Sequence, residues 1–112
     1  MIRYGELIQA LHDYTHLDIS NEIPDELYRV VIKLAIRKNR QEQQWELRHI
    51  AAVLLYIAFN EGHLHPSQLN SEGLIALNWA ELLIEEDEIA DVVADVRADV
   101  GRKTSIKQQF SA

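Results

Sequence analysis

The chain has 112 residues, 47% of them hydrophobic and 26% charged, with no cysteine and a formal charge of −7. That is enough for one domain with its own core. It excludes disulfides, thiolate metal sites and thiol nucleophiles, and the negative sign disfavours broad contact with phosphate backbones or anionic lipid.

No basic-then-apolar leader is legible at the start. The longest apolar run, Ile50 to Phe59, is about half of the ~20 residues a spanning helix needs, so a cytoplasmic chain is expected. In chain order, Tyr4, Leu7, Ile8, Leu11 and Tyr14 recur at helical spacing and predict a first helix from about Arg3 to His16. The polar stretch Asp18 to Asn21 ends it, with Ser20 or Asn21 as candidate caps for the next helix. This second helix is expected from Pro24 to Lys38, because proline suits a first turn. Its apolar arc is wide: Leu27, Val30, Val31 and Leu34 form one face, flanked by Tyr28, Ile32, Ala35 and Ile36. That predicts packing on two sides.

A third helix is expected over Gln41 to Asn60. It is apolar all round from Ile50 onward, and Gly62 stands where a left-handed residue would close it. The segment Ser71 to Val100 reads as helical again. Glu85, Glu86, Asp87 and Glu88 would be unfavourable at a helix C-terminus and favourable at an N-terminus, so a break near Glu86 is expected, with Asp87 as cap. In the last helix Ile89, Val92, Val93, Val96 and Val100 follow a period of 3.6 rather than 2, and Gly101 is expected to end it. The predicted fold is therefore all-α: a compact single-domain bundle of four to five helices over residues 1–101, centred on 27–36 and 50–59. A polar tail occupies 102–112.

Charge is unevenly distributed. No Lys or Arg lies between Arg48 and Arg97, and most of the acids in that interval gather from Glu81 to Asp95. Asp91, Asp95 and Asp99 recur every four residues and share one flank of the last helix. Glu81, Glu85 and Glu88 are expected on one face of the helix before it. The basic residues Arg29, Lys33 and Arg37 form a stripe on the second helix. Solvated surface or internal pairing with the acids would explain both groups; so would recognition of a charged partner.

Several patterns invite a metal reading. His12 and His16 are four apart, and Glu46 and His49 form a Glu-x-x-His pair of the kind found in di-iron bundles, but the second such pair is missing. Glu88 and Asp91 make a Glu-x-x-Asp pair that resembles the magnesium-holding pair of all-helical nucleotide pyrophosphohydrolases, yet the upstream Glu42 and Glu46 do not complete it. No glycine-rich phosphate loop or nucleophile elbow is present. Trp45, Trp79, Tyr56 and Phe59 read as core, with Trp79 off the main seam.

The charge layout leads to the expectation of a non-catalytic acidic protein–protein interaction module, with no cofactor, that docks on a basic surface of another protein. An inhibitor covering a nucleic-acid-binding surface is one concrete version. The contact residues would be Glu81, Glu85, Glu88, Asp91, Asp95 and Asp99. One alternative is a metal-binding bundle built on His12, His16, Glu46 and His49, or a magnesium-dependent nucleotide hydrolase. Another is a homo-oligomeric assembly protein in which the basic stripe of one copy meets the acidic row of the next. Direct contact with nucleic acid or membrane is not expected.

Overall fold

A computed structural model describes the backbone of residues 3–110 and the side chains of residues 3–99. Within these limits the chain is all-α, in five helices: α1 (Tyr4–Leu11), α2 (Asp25–Arg40), α3 (Leu47–Asn60), α4 (Ser71–Ala80) and α5 (Glu86–Phe110). A single turn of 3-10 helix at Pro66–Gln68 precedes α4. No described helix is long and apolar enough to cross a membrane.

The helix that is apolar on every side takes the centre. Ile50 to Leu55, Ile57 and Ala58 of α3 are all buried, and α1, α2 and α4 pack around them. α2 buries Leu27, Val30, Val31 and Leu34 and takes α5 against its other side, as its wide apolar arc requires. α5 contributes less: Val92 and Val96 are buried, while Ile89 and Val93 are half-buried.

The helix ends depart from expectation where long-range pairing overrides local pattern. α1 stops at Leu11, not His16. The chain turns through residues 12–14 so that Thr15 can pair with Leu69 in an isolated antiparallel bridge. His16 N donates to Gln68 O at 3.0 Å, Asn70 N donates to Tyr14 O at 3.0 Å, and the Asn70 side chain donates to Asp13 O at 2.9 Å. Asn70 also caps α4, its Oδ1 accepting from Gly73 N. Gly73 sits so close to this knot that a Cβ there would run into the Tyr14 carbonyl oxygen.

α2 runs on to Arg40, and α3 starts at Leu47 rather than Gln41. The reason is a Schellman turn in which Glu42 adopts φ +64, with Gln43 N bonded to Lys38 O and Glu42 N to Asn39 O. α2 starts from Pro24, which caps it without a side-chain bond, so neither Ser20 nor Asn21 acts as cap. Gly62 does close α3 as expected: its φ is +81, Gly62 N meets Phe59 O and His63 N meets Ala58 O. α5 starts at Glu86, so Asp87 lies in the first turn and is not the cap. The α5 backbone continues through Gly101 to Phe110, correcting the expected stop. The side chains of the expected tail, and of Val100, lie outside the described residues.

Tyr28 ties α2 to the loop before it. Its hydroxyl donates to Ser20 O at 2.9 Å, and its ring meets Tyr4 edge-on at 5.8 Å. Burial, reinforced by the charges of Asp18 and Asp25, pushes the phenol from 10.0 up to about 12. A raised folded-state value means the neutral form is favoured. Its stabilising contribution is complete below pH 10 and is lost as pH climbs through about 12. Tyr28→Phe is expected to cost about 1 kcal/mol near neutrality and to flatten the alkaline loss of stability. Urea unfolding in steps of pH across that window checks it.

Candidate functional site

The two charged stripes meet within the molecule. Lys33 Nζ donates to Asp99 Oδ2 at 2.6 Å, Arg37 Nη2 to Asp95 Oδ2, and Lys38 Nζ to Glu88 Oε1 at 2.8 Å. Arg97 Nε on α5 reaches back to Glu26 at 2.7 Å on α2, and this pair raises the guanidinium further above its ordinary range. The stripes fit because lysine and arginine at positions 33 and 37, one helical turn apart on α2, face aspartates at 99 and 95, one turn apart on an antiparallel α5. Lys38 is the buried member of the set, with 6% of its surface exposed. Arg29 is exposed and lies beside Val96 and Arg97 at the α2–α5 seam.

The six acids of the expected docking row are therefore divided. Glu88, Asp95 and Asp99 are engaged with α2. Glu81, Glu85 and Asp91 are exposed, as are Glu86 and Asp87, and among the described residues no cation lies within ion-pair distance of these five. The expectation that Glu81, Glu85 and Glu88 share one helix face is corrected: α4 ends at Ala80, and residues 81–85 form a turn. In that turn Leu82 N bonds to Trp79 O and Leu83 N to Ala80 O. Ile84 folds inward, and Leu82 is left 85% exposed. The acids just beyond it stand in the first turn of α5, where helix amides favour anions. From sequence, Leu82-Leu83-Ile84 is only a short apolar run, and nothing in it says which leucine faces water.

The histidines do not converge. His12 lies in the turn after α1, 3.4 Å from Asp18, and so shares no helical face with the exposed His16. Asp18 accepts from Ser20 N, which, with the neighbouring His12, holds its carboxyl below the usual range. The Glu46–His49 pair is a helix cap: Glu46 N donates to His49 Nδ1 at 2.9 Å, while the Glu46 carboxylate pairs with Arg48 at 3.0 Å. Glu88 of the Glu-x-x-Asp pair is held by Lys38. Among the described residues no group of three or more His, Asp or Glu is placed to hold a metal ion. His49 lies against Trp79, edge-on at 5.7 Å.

Two hollows have chemical character. An open groove of about 640 Å³ lies between α3 and α5, floored by Ile57, Ile89 and Val93 and rimmed by Glu61, Glu86 and Arg97. A smaller cavity, about 420 Å³, is lined by Tyr14, Arg48, His49, Glu72 and Trp79. Sequence reasoning treated His49 and Trp79 separately and gave Tyr14, Arg48 and Glu72 no shared role. They come together only because the Tyr14–Asn70 knot brings the start of α4 to the end of α1. The chain has no significant match to a family model, to a curated protein or to a solved structure.

Proposed function

We propose that the chain is a non-catalytic protein-binding module whose working surface is the α4–α5 turn, and that its partner offers a basic patch around an apolar slot. The observation that carries this reading is the combination at the turn. Leu82, 85% exposed, is flanked in sequence by Glu81, Glu85, Glu86 and Asp87, carboxylates for which the described chain supplies no ion-pair partner. The α5 acids also stabilise their own helix end; Leu82 is the most exposed of the described large apolar side chains, ahead of Leu17 at 77%. An exposed apolar anchor with acids close by in sequence suits a partner of the opposite charge: the charge speeds encounter, and the anchor slows release. An inhibitor that covers a basic, nucleic-acid-binding surface fits this description. Self-association through the basic stripe is less favoured, because Lys33 and Arg37 already have partners on α5.

The test compares capture from an extract of the native host by the wild-type chain, by Leu82→Ser and by Glu81→Lys/Glu85→Lys/Asp87→Lys. A basic protein retained by the wild type should be lost by both variants, and should elute as salt shortens the Debye length. Equal retention by both variants would remove the turn from the account. Reversing Asp91, Asp95 and Asp99 is a poor substitute, because two of the three hold α5 to α2.

A further inference from the structure

We infer that the cavity lined by Tyr14, Arg48, His49, Glu72 and Trp79 is a binding site for a small organic ammonium ion. This does not rest on the protein-binding reading above. The volume, about 420 Å³, lies within the range of small-ligand sites, roughly 300–1,000 Å³. Its walls come from three anchored places. Tyr14 is fixed by the backbone bond from Asn70 N. Arg48 and His49 occupy the first turn of α3. Glu72 and Trp79 are seven apart on α4 and so share a face.

His49 is oriented by a hydrogen bond, while Glu72 and Arg48 are exposed and open to a ligand from solvent. His49 accepts the Glu46 amide proton on Nδ1, so its own ring proton is on Nε2. Its ring is steadied edge-on against the Trp79 indole. Neither the Glu72 carboxylate nor the Tyr14 hydroxyl has a hydrogen-bond or ion-pair partner among the described residues. Burial, and then the charge of Asp13, pushes the Tyr14 phenol up, with Arg48 opposing and Glu72 adding to the rise, so the ring stays neutral at physiological pH.

Sign and shape point to the same ligand class. Among the described residues Arg48 is the one cation lining the cavity, and it is engaged by Glu46 at 3.0 Å; Glu72 and the adjacent Asp13 leave the neighbourhood negative. Two aromatic rings, Tyr14 and Trp79, line the same hollow as the Glu72 carboxylate, and rings beside a carboxylate are the combination that holds an ammonium head through cation–π attraction and one ion pair. An anion would meet Glu72 with only a partly neutralised Arg48 in compensation.

The experiment tracks the indole Nε1–H signals of Trp79 and Trp45 by NMR. Trp45 is buried elsewhere in the core and serves as the internal control. Choline represents a free ammonium compound and N-acetyl-lysine methylamide a protein side-chain ammonium, each added at constant ionic strength against sodium chloride. A saturable shift at Trp79 and not at Trp45 is expected, and the tighter of the two probes identifies the source. Glu72→Gln should weaken binding about fivefold, the scale of one exposed charged contact, with an unchanged melting curve. Arg48→Gln should leave binding equal or tighter. The inference is overturned by shifts no larger than those from sodium chloride, by equal affinity in Glu72→Gln, or by acetate binding more tightly than either ammonium probe in a manner that depends on Arg48.

Discussion

Gly73→Ala is expected to destabilise the fold by about 2–3 kcal/mol, although alanine is the better helix former by roughly 1 kcal/mol. The added methyl would overlap the Tyr14 carbonyl oxygen, and the Leu69 Cβ lies at 3.0 Å on its other side. Both neighbours belong to the knot that closes residues 14–16 onto 68–70, so neither can yield without loosening the Thr15–Leu69 bridge or the Asn70 bonds. For a domain of this size the loss should appear as a fall in melting temperature of roughly 10–20 °C. The same substitution should broaden or shift the Trp79 indole signal, because Tyr14 lines the cavity beside it. A melting temperature equal to or above that of the wild type would mean that α4 can slide away from Tyr14 at no cost.

The second large effect concerns an asymmetry. Glu88→Ala should cost about 2–3 kcal/mol, whereas Lys38→Met should change stability by less than about 1 kcal/mol in either direction. The two substitutions break the same 2.8 Å contact but leave different remainders. Without Glu88, an ammonium group that is almost wholly buried loses its counter-charge. Without Lys38, a carboxylate that is already 29% exposed is left to solvent in the first turn of a helix, where anions are favoured. Urea unfolding of the two variants measures the gap. High salt should lower wild-type stability only modestly, through the half-exposed pairs Lys33–Asp99 and Arg37–Asp95, worth about 0.2–1 kcal/mol each. Equal costs for the two variants would place Lys38 in contact with water.

Periodicity carried much of the fold. The arcs of α2 and α3, the break before Glu86 and the left-handed Gly62 all come from residue spacing and the chemistry of helix ends. The failures share a cause. Tyr14 continues the rhythm of α1, yet the helix stops at Leu11 because Thr15 pairs with Leu69, a partner that no local window contains. Gly101 fails to stop α5 because one glycine costs a helix only about 1 kcal/mol. The charge stripes were visible as stripes, and internal pairing was among their expected explanations, but spacing along one helix cannot say that Lys33 meets Asp99 or that Lys38 meets Glu88. The division of the acidic row into engaged and unengaged members is therefore a tertiary fact. So is the cavity, whose five lining residues span positions 14 to 79.

α3 is gripped by α1, α2 and α4, while α5 is laid against α2 through two buried valines and a set of charges. Among the described residues α5 therefore packs extensively on one neighbour, whereas α3 packs on three. Peeling α5 away at the turn before Glu86 would bare Val92, Val96 and the side of α2 that α5 covers, while leaving α1, α2 and α4 packed on α3. In the opened form a cationic strip on α2 and an anionic helix would face solvent separately, giving a transient species whose polarity differs from that of the resting molecule although its net charge is the same.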